Sequence, residues 1–346
     1  VATRAARCMP ARRGGGSGTG AGALCIAGAS VALFGGWLVG YNWRGAFWVN
    51  VPLCAVVILL AVRYVPESRN PHASKTTDAP GVLLGATGLA GVTYALTEWP
   101  THGLSADTLT AAVGGVLALV AFILIERGSH NPMLPTSLFA SRSFSVINSV
   151  TFAVYAALSG ALVFLVLFLQ VVAGWTALRA GAATLPLSVV MLLLAKRFGT
   201  LATKIGARSL MISGPLIAAT GFVIISQMPN NPSYIVNVVP GVGLLGLGMS
   251  MTVAPLTGSV LAAAPDDLAG TASGVNNAVA RTAGLIAVAA LPALVGLSGG
   301  DYADPAILAP AYRMALLICA AAMVAGAALA ALGLPREHAR SAVALG

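Results

Sequence analysis

The stretch PGVGLLGLGMSMTVAPLTGSVLAAAPDDLAGTASGVNNAVARTAGLIAVAAL, residues 240–291, places two long apolar runs on either side of one short polar break. A hydrocarbon core about 30 Å thick is crossed by roughly 20 apolar residues in a helix, so each run is long enough to span it. The first, residues 236–264, carries no charge at all. The second holds Ser273, Asn276, Asn277 and Arg281 in otherwise apolar sequence. Polar groups at that depth need water, a partner or a function.

The rest of the chain repeats this design. With 58% hydrophobic and 8% charged residues, it lies far from the soluble average of about 25% charged. It reads as an all-α integral membrane protein with no soluble domain of useful size. Cys8, Cys25, Cys54 and Cys319 are far apart and form no CxxC pair, so neither a disulfide framework nor a metal site is expected. The net charge of +9 comes from basic residues scattered between apolar runs, not from one patch, which excludes a nucleic-acid interface. Residues 1–20 lack the apolar core and cleavage site of a signal peptide and are expected to form a cytoplasmic segment.

Ten hydrophobic segments follow, at 21–40, 47–65, 80–97, 108–125, 144–172, 180–198, 209–227, 235–262, 271–297 and 312–334. Alternate connections collect the basic residues: Arg63, Arg69 and Lys75; Arg127 and Arg142; Lys196, Arg197, Lys204 and Arg208; then Arg336 and Arg340. Cytoplasmic loops hold Lys and Arg, so both chain ends are expected on the cytoplasmic side, with residues 335–346 as a tail. Residues 131–143 mix Leu134, Leu138 and Phe139 with Arg142, which suits a short interfacial helix or a plain linker. Residues 194–211 read as a basic loop with tight turns at Gly199 and Gly206. Spacings of small residues at Gly81/Gly85 and Gly270/Gly274 suit close helix packing.

Several motifs are decoys. Gly241, Gly243 and Gly246 satisfy GxGxxG, but a dinucleotide fingerprint links a strand to a helix, and here the glycines sit in a charge-free membrane run. They are read as packing residues. Gly296-Leu297-Ser298-Gly299 resembles an intramembrane protease serine motif, yet His72, His102, His130 and His338 all lie in loops or the tail, where none can serve as a buried base. An enzyme is not expected.

Ser273, Asn277, Arg281 and Gly284 recur at helical spacing, so one stripe of their helix is polar and should face the bundle interior. Asn277 and Arg281 are expected to line a transport pathway; an arginine bonded to carbonyls of a neighbouring span is the alternative. Asn148, Phe152, Tyr155 and Ser159 form a second stripe, suited either to amphipathic ligands or to ordinary helix packing. Met249, Met251 and Thr252 would add adaptable contacts. Pro186, Pro215, Pro240, Pro255 and Pro292 break helix hydrogen bonds and could provide bends. All ten acidic residues lie in loops or at helix ends, so this chain places no proton-carrying carboxylate in mid-membrane.

Residues 254–281, the Arg142-Ser143-Phe144 segment after NPMLP, and FGGWLVGYNWRGAFWVNVP at 34–52 resemble the fourteen-span drug:proton antiporters of the major facilitator superfamily. The resemblance covers essentially the whole chain. It implies that 21–65 are the last two spans of the N-terminal bundle, 80–125 two inserted linker spans and 144–334 a six-span C-terminal bundle. Four further spans would then precede Val1, including one that commonly carries a proton-coupling acid. The chain departs from the pattern where Val31-Ala32 replace Gly-Pro ahead of Gly35-Gly36, and where Thr203 replaces an aspartate after Gly199, Leu201 and Ala202. Gly35, Gly36, Gly199, Lys204, Gly206, Arg208 and Pro255 are the expected conformational positions.

The implied function is export of small lipophilic or cationic drugs by alternating access at the cell membrane, driven by the proton gradient and without a cofactor. Small-molecule substrate and lipid bilayer are the expected partners, with no obligate protein partner. The alternative is a truncated, transport-inactive remnant or a membrane interaction partner.

Overall fold

The computed structural model describes residues 44–64, 78–128, 134–265 and 268–335. The expected span at 21–40 with Gly35 and Gly36, residues 131–133, Asp266, Asp267 and the tail lie outside the described residues.

Eleven α-helices run through the described residues: α1 (Gly45–Trp48), α2 (Asn50–Tyr64), α3 (Ala79–His102), α4 (Ala106–Gly128), α5 (Arg142–Val171), α6 (Ala177–Ala182), α7 (Leu185–Ile205), α8 (Ala207–Ser226), α9 (Val239–Ala262), α10 (Ala269–Leu294) and α11 (Pro305–Gly333). Eight spans are long and apolar enough to cross a membrane, with α6 and α7 counted as one and a π-helical turn, Tyr234–Val238, leading into α9. No strand occurs among the described residues. Their starts follow from local chemistry. Asp78 caps α3, its Oδ1 accepting from the Gly81 N–H at 3.0 Å, with Pro80 in the first turn. Asp304 caps α11 ahead of Pro305, its Oδ1 accepting from the Ala306 N–H at 2.8 Å. Proline is cheap in a first turn, where its missing N–H has no partner to lose.

α5, α7, α8, α9, α10 and α11 form one bundle. α11 packs on α5 and α8, α8 on α9, α9 on α7, and α5 on α10, while α10 meets α9 more sparsely. Glycines set the closest approaches. A Cβ on Gly221 of α8 would lie 2.7 Å from the Gly241 carbonyl oxygen and 2.9 Å from the Leu245 nitrogen of α9. A Cβ on Gly246 would lie 2.9 Å from the Leu187 Cα of α7. Two members of the GxGxxG decoy therefore are packing residues, whereas Gly243 faces open space. The core between these helices is sealed by Phe168 stacked on Tyr312 at 4.2 Å, with the Tyr312 hydroxyl donating to the Ile225 carbonyl at 2.8 Å.

α3 and α4 form a separate hairpin that leans on the bundle through α10. Its crossing is backbone against backbone: a Cβ on Gly91 would lie 2.9 Å from the Gly115 Cα. Among the described residues α2 has no buried side chain.

Several expected boundaries shift. The basic loop at 194–211 is not a loop, because α7 runs on to Ile205 and carries Lys196, Arg197 and Gly199 within it. Alanine, leucine, lysine and arginine there are good helix formers, and a polar last turn can leave the bilayer without unwinding. Only Gly206 makes a turn, at φ +86°, a conformation that suits glycine alone. The last span starts at Pro305, not 312, because Pro310 is accommodated inside the helix. The segment expected at 47–65 breaks after Trp48 and continues as the 15-residue α2. Gly270 and Gly274 have nothing within 4 Å of a built Cβ, so they mark no helix contact. Of the five prolines expected to bend helices, Pro186 and Pro240 sit in first turns, whereas Pro215, Pro255 and Pro292 lie inside α8, α9 and α10. In the 131–143 segment, Thr136–Ala140 form one 3-10 helix whose Leu138 is buried against the bundle core.

Candidate functional site

Where α10 meets α9 only lightly, a cavity of about 690 Å³ opens between α5, α9 and α10. α5 contributes Tyr155 and Ser159, α9 contributes Thr257, and α10 contributes Ser273, Asn276, Asn277, Arg281 and Gly284. Such volumes suit drug-sized molecules, for which pockets run to about 300–1,000 Å³. Arg281 is at the midpoint of α10, lines the cavity and is exposed. Among the described residues it has neither a hydrogen bond nor an ion pair.

At Asn276 of the wall, α5 and α10 are tied by amide and hydroxyl groups. The Asn276 Nδ2 donates to the Asn148 Oδ1 at 3.0 Å and to the Thr151 Oγ1 at 2.8 Å. Asn148 in turn donates to the Phe144 carbonyl at 2.9 Å, and Thr151 to the Ile147 carbonyl at 2.9 Å. Both residues are buried, so these groups satisfy one another away from water. Gly284, one helical turn from Arg281, brings α10 against α5: a Cβ there would lie 2.7 Å from the Ser159 Oγ.

The expected pathway residues therefore separate. Tyr155, Asn277 and Arg281 share the cavity. Asn148 is turned into the α5–α10 contact, and Phe152, about 40° further round α5 at 100° per residue, is 40% exposed outside the lining. Met249 and Thr252 are buried on α9, Met249 in the apolar core and Thr252 donating to the Gly248 carbonyl at 2.8 Å beside Gly214. Asn276 and Thr257 were not among the residues expected to line the site. Asn276 was legible in principle, since Asn148 and Thr151 sit one turn apart on the facing helix and require a polar partner. Thr257 had no such signal.

The expected conformational positions also fall in distinct places. Gly199 lies inside α7, where a Cβ would be in ordinary contact with Ala254 at 3.7 Å. Lys204 is exposed in the last turn of α7, and Pro255 is buried in α9. Arg208 donates from Nη2 to the Ala331 carbonyl at 2.6 Å, and Arg142 donates from Nη2 to the Leu332 carbonyl at 3.2 Å. Two guanidinium groups thus close the C-terminal carbonyls of α11, where cations are favoured by the helix dipole. No carboxylate joins that latch among the described residues, in keeping with Thr203 at the position where the resembled family has an acid.

The remaining polar features are structural. Ser298 donates through its N–H and its hydroxyl to the Asp301 Oδ2 at 2.8 and 3.0 Å, as a helix cap. Arg179 stacks 4.0 Å from the Trp175 ring at the other end of the bundle from Arg208. No cluster of metal-ligating side chains occurs among the described residues.

Comparison with known proteins places this geometry in context. The sequence pattern of the Major Facilitator Superfamily matches residues 1–289. The chain is 34% identical over 250 residues to the multidrug resistance protein Stp of Mycobacterium tuberculosis, covering 70% of this chain and 45% of that protein. It is 32% identical over 282 residues to the puromycin resistance protein pur8 of Streptomyces alboniger, covering 78% and 54%. Identity to the cephamycin export protein CmcT of Amycolatopsis lactamdurans is 31% over 309 residues, covering 88% and 63%. The chain spans about half the length of the curated relatives it matches.

Proposed function

Because this chain belongs to the Major Facilitator Superfamily, we propose that it forms the C-terminal bundle, the two inserted spans and the last N-terminal spans of a drug exporter. The transporter works by alternating access in the plasma membrane and exchanges its substrate for protons. The observation that carries this reading is the cavity between α5, α9 and α10, with Tyr155, Asn277 and Arg281 on its wall. Substrates of facilitator-type carriers bind at mid-membrane between helices, and Arg281 stands at the middle of its span. The names of the relatives, which speak of multidrug resistance, puromycin resistance and cephamycin export, support drug export.

Of the two substrate chemistries left open by the sequence, lipophilic and cationic, the lipophilic one is better supported. No carboxylate lines this cavity to offset Arg281, so a cation would meet an unbalanced like charge on the wall. Both chain ends are cytoplasmic in this reading. Arg142 and Arg208 mark the same bundle end by closing the same helix terminus, and Lys196, Arg197 and Lys204 lie near it in sequence. A single chain suffices, with the bilayer and the small molecule as its partners.

The test is dye efflux in inverted membrane vesicles carrying the full-length protein, energised by an imposed pH gradient. Gradient-dependent dye movement above vesicles without the protein is the expected result. A protein that inserts normally yet moves no dye with or without the gradient would favour the transport-inactive remnant. An Arg281→Ala protein that inserts and transports like the wild type would remove Arg281 from the pathway.

A further inference from the structure

From the charge balance of the cavity wall we infer that this half of the pathway is an anion site. Its preferred ligand is an amphipathic organic molecule with a carboxylate or sulfonate head, held by Arg281. The inference rests on the export reading for its physiological meaning, but the site itself is a matter of binding.

Three observations converge on it. First, Arg281 is the one ionisable side chain with a full charge at neutral pH on the wall, and the other polar members, Ser159, Thr257, Ser273, Asn276 and Asn277, are neutral. Second, Arg281 has no protein partner among the described residues, although a guanidinium in an apolar span must find one or be hydrated. Residues 1–66 contain no carboxylate, and none lines the cavity among the described residues. Third, two of the neutral groups on the wall are engaged with other partners. Asn276 spends its Nδ2 on Asn148 and Thr151 of α5, and the Thr257 hydroxyl donates to the Val253 carbonyl at 3.0 Å.

The chemistry then selects the ligand. A guanidinium offers a planar fork of N–H donors that matches the two oxygens of a carboxylate or sulfonate. Its positive charge is not offset by any carboxylate on the wall, so an anion is drawn in and a cation is turned away by the same residue. The Tyr155 ring and the glycine face at Gly274 and Gly284 leave an apolar flank for the body of the molecule. A free inorganic anion would meet the guanidinium without using that flank.

The experiment measures binding to the intact gene product in lipid nanodiscs, with empty nanodiscs subtracted. Fluorescein, an amphipathic carboxylate, is compared with the lipophilic cation ethidium, and chloride or sulfate serves as the inorganic competitor. The expected result is that fluorescein binds at least about tenfold tighter than ethidium, a difference of 1.4 kcal/mol. Arg281→Gln, which removes the charge and the fork, should lower fluorescein affinity about tenfold or more, and Arg281→Lys, which keeps the charge but loses the fork, should fall between it and the wild type. Sulfate that displaces fluorescein only at far higher concentration would show that the apolar flank contributes. Ethidium binding as tightly as fluorescein in the wild-type protein would overturn the inference without any variant. So would an Arg281→Gln protein, monodisperse and thermally stable, that keeps wild-type fluorescein affinity; Arg281 would then be paired with a carboxylate outside this chain segment. Arg281-dependent fluorescein binding in a protein that moves no dye in vesicles would leave the site standing and sink the export reading instead.

Discussion

Replacing Asn276 by alanine should loosen α10 from α5 without disturbing the rest of the bundle. The side chain gives two interhelical hydrogen bonds, at 3.0 Å to Asn148 and 2.8 Å to Thr151. Interhelical hydrogen bonds in membrane proteins average about 0.6 kcal/mol and reach about 1.7, because the unfolded state in the membrane also finds partners. Two such bonds put the loss for Asn276→Ala at about 1–2 kcal/mol. The carbonyl of Asn148, 4% exposed, would be left without its donor, which holds the effect toward the upper part of that range. The assay is reversible unfolding by SDS in mixed micelles, followed by circular dichroism, on Asn276→Ala, Asn148→Ala and the double variant. Asn148 receives one of the two bonds, so the cycle should report a coupling energy of about 0.6–1.7 kcal/mol. A coupling below about 0.2 kcal/mol, with both single variants folded, would refute the assignment of this contact as a stabilising tie.

Other consequences are equally direct. Gly284→Ala should press against the Ser159 Oγ, where a Cβ would sit at 2.7 Å, and impair ligand binding in the nanodisc assay; adding Ser159→Ala should restore it. Gly115→Leu should force α3 and α4 apart, since even a Cβ would lie 2.6 Å from the Val92 nitrogen; a loss of about 1–3 kcal/mol or more is expected in the SDS titration. Arg142→Ala with Arg208→Ala should uncap α11 and cost about 1–2 kcal/mol, seen as faster hydrogen exchange confined to its last turn.

Much of the fold was legible because membrane insertion imposes a length and an apolar content that composition alone reveals. The spans at 144–172, 209–227 and 235–262 match α5, α8 and α9 with its π-helical lead-in to within a few residues. Where charge entered a helix end, that criterion misled: Lys196 and Arg197 look like a loop, yet backbone hydrogen bonding carries α7 through them. The candidate site was legible in part. Arg281 stands out as a charge in an apolar run, and period places Asn277 on the same stripe of its helix and Tyr155 on a polar stripe of another, both of which line the cavity. What period cannot supply is the neighbour. Asn148 and Phe152 belong to one sequence stripe, but only the approach of α10 decides that Asn148 is bonded inside while Phe152 is left outside. Thr257 comes from a third helix, and nothing in its local sequence announces the gap between α9 and α10.

The guanidinium caps on α11 also bear on how the protein is made. Arg208 and Ala331 are 123 positions apart, and Arg142 and Leu332 are 190. At about 5–20 residues per second of synthesis, Arg208 waits roughly 6–25 s for its carbonyl to appear. α5 and α8 wait as well, because Phe168 and Ile225 complete their packing only on Tyr312 of the last span. Until α11 inserts, the nascent bundle holds two unmated arginine heads at the membrane surface and an unfilled apolar seam. Interruption of synthesis between α10 and α11 would therefore leave the chain open to quality control.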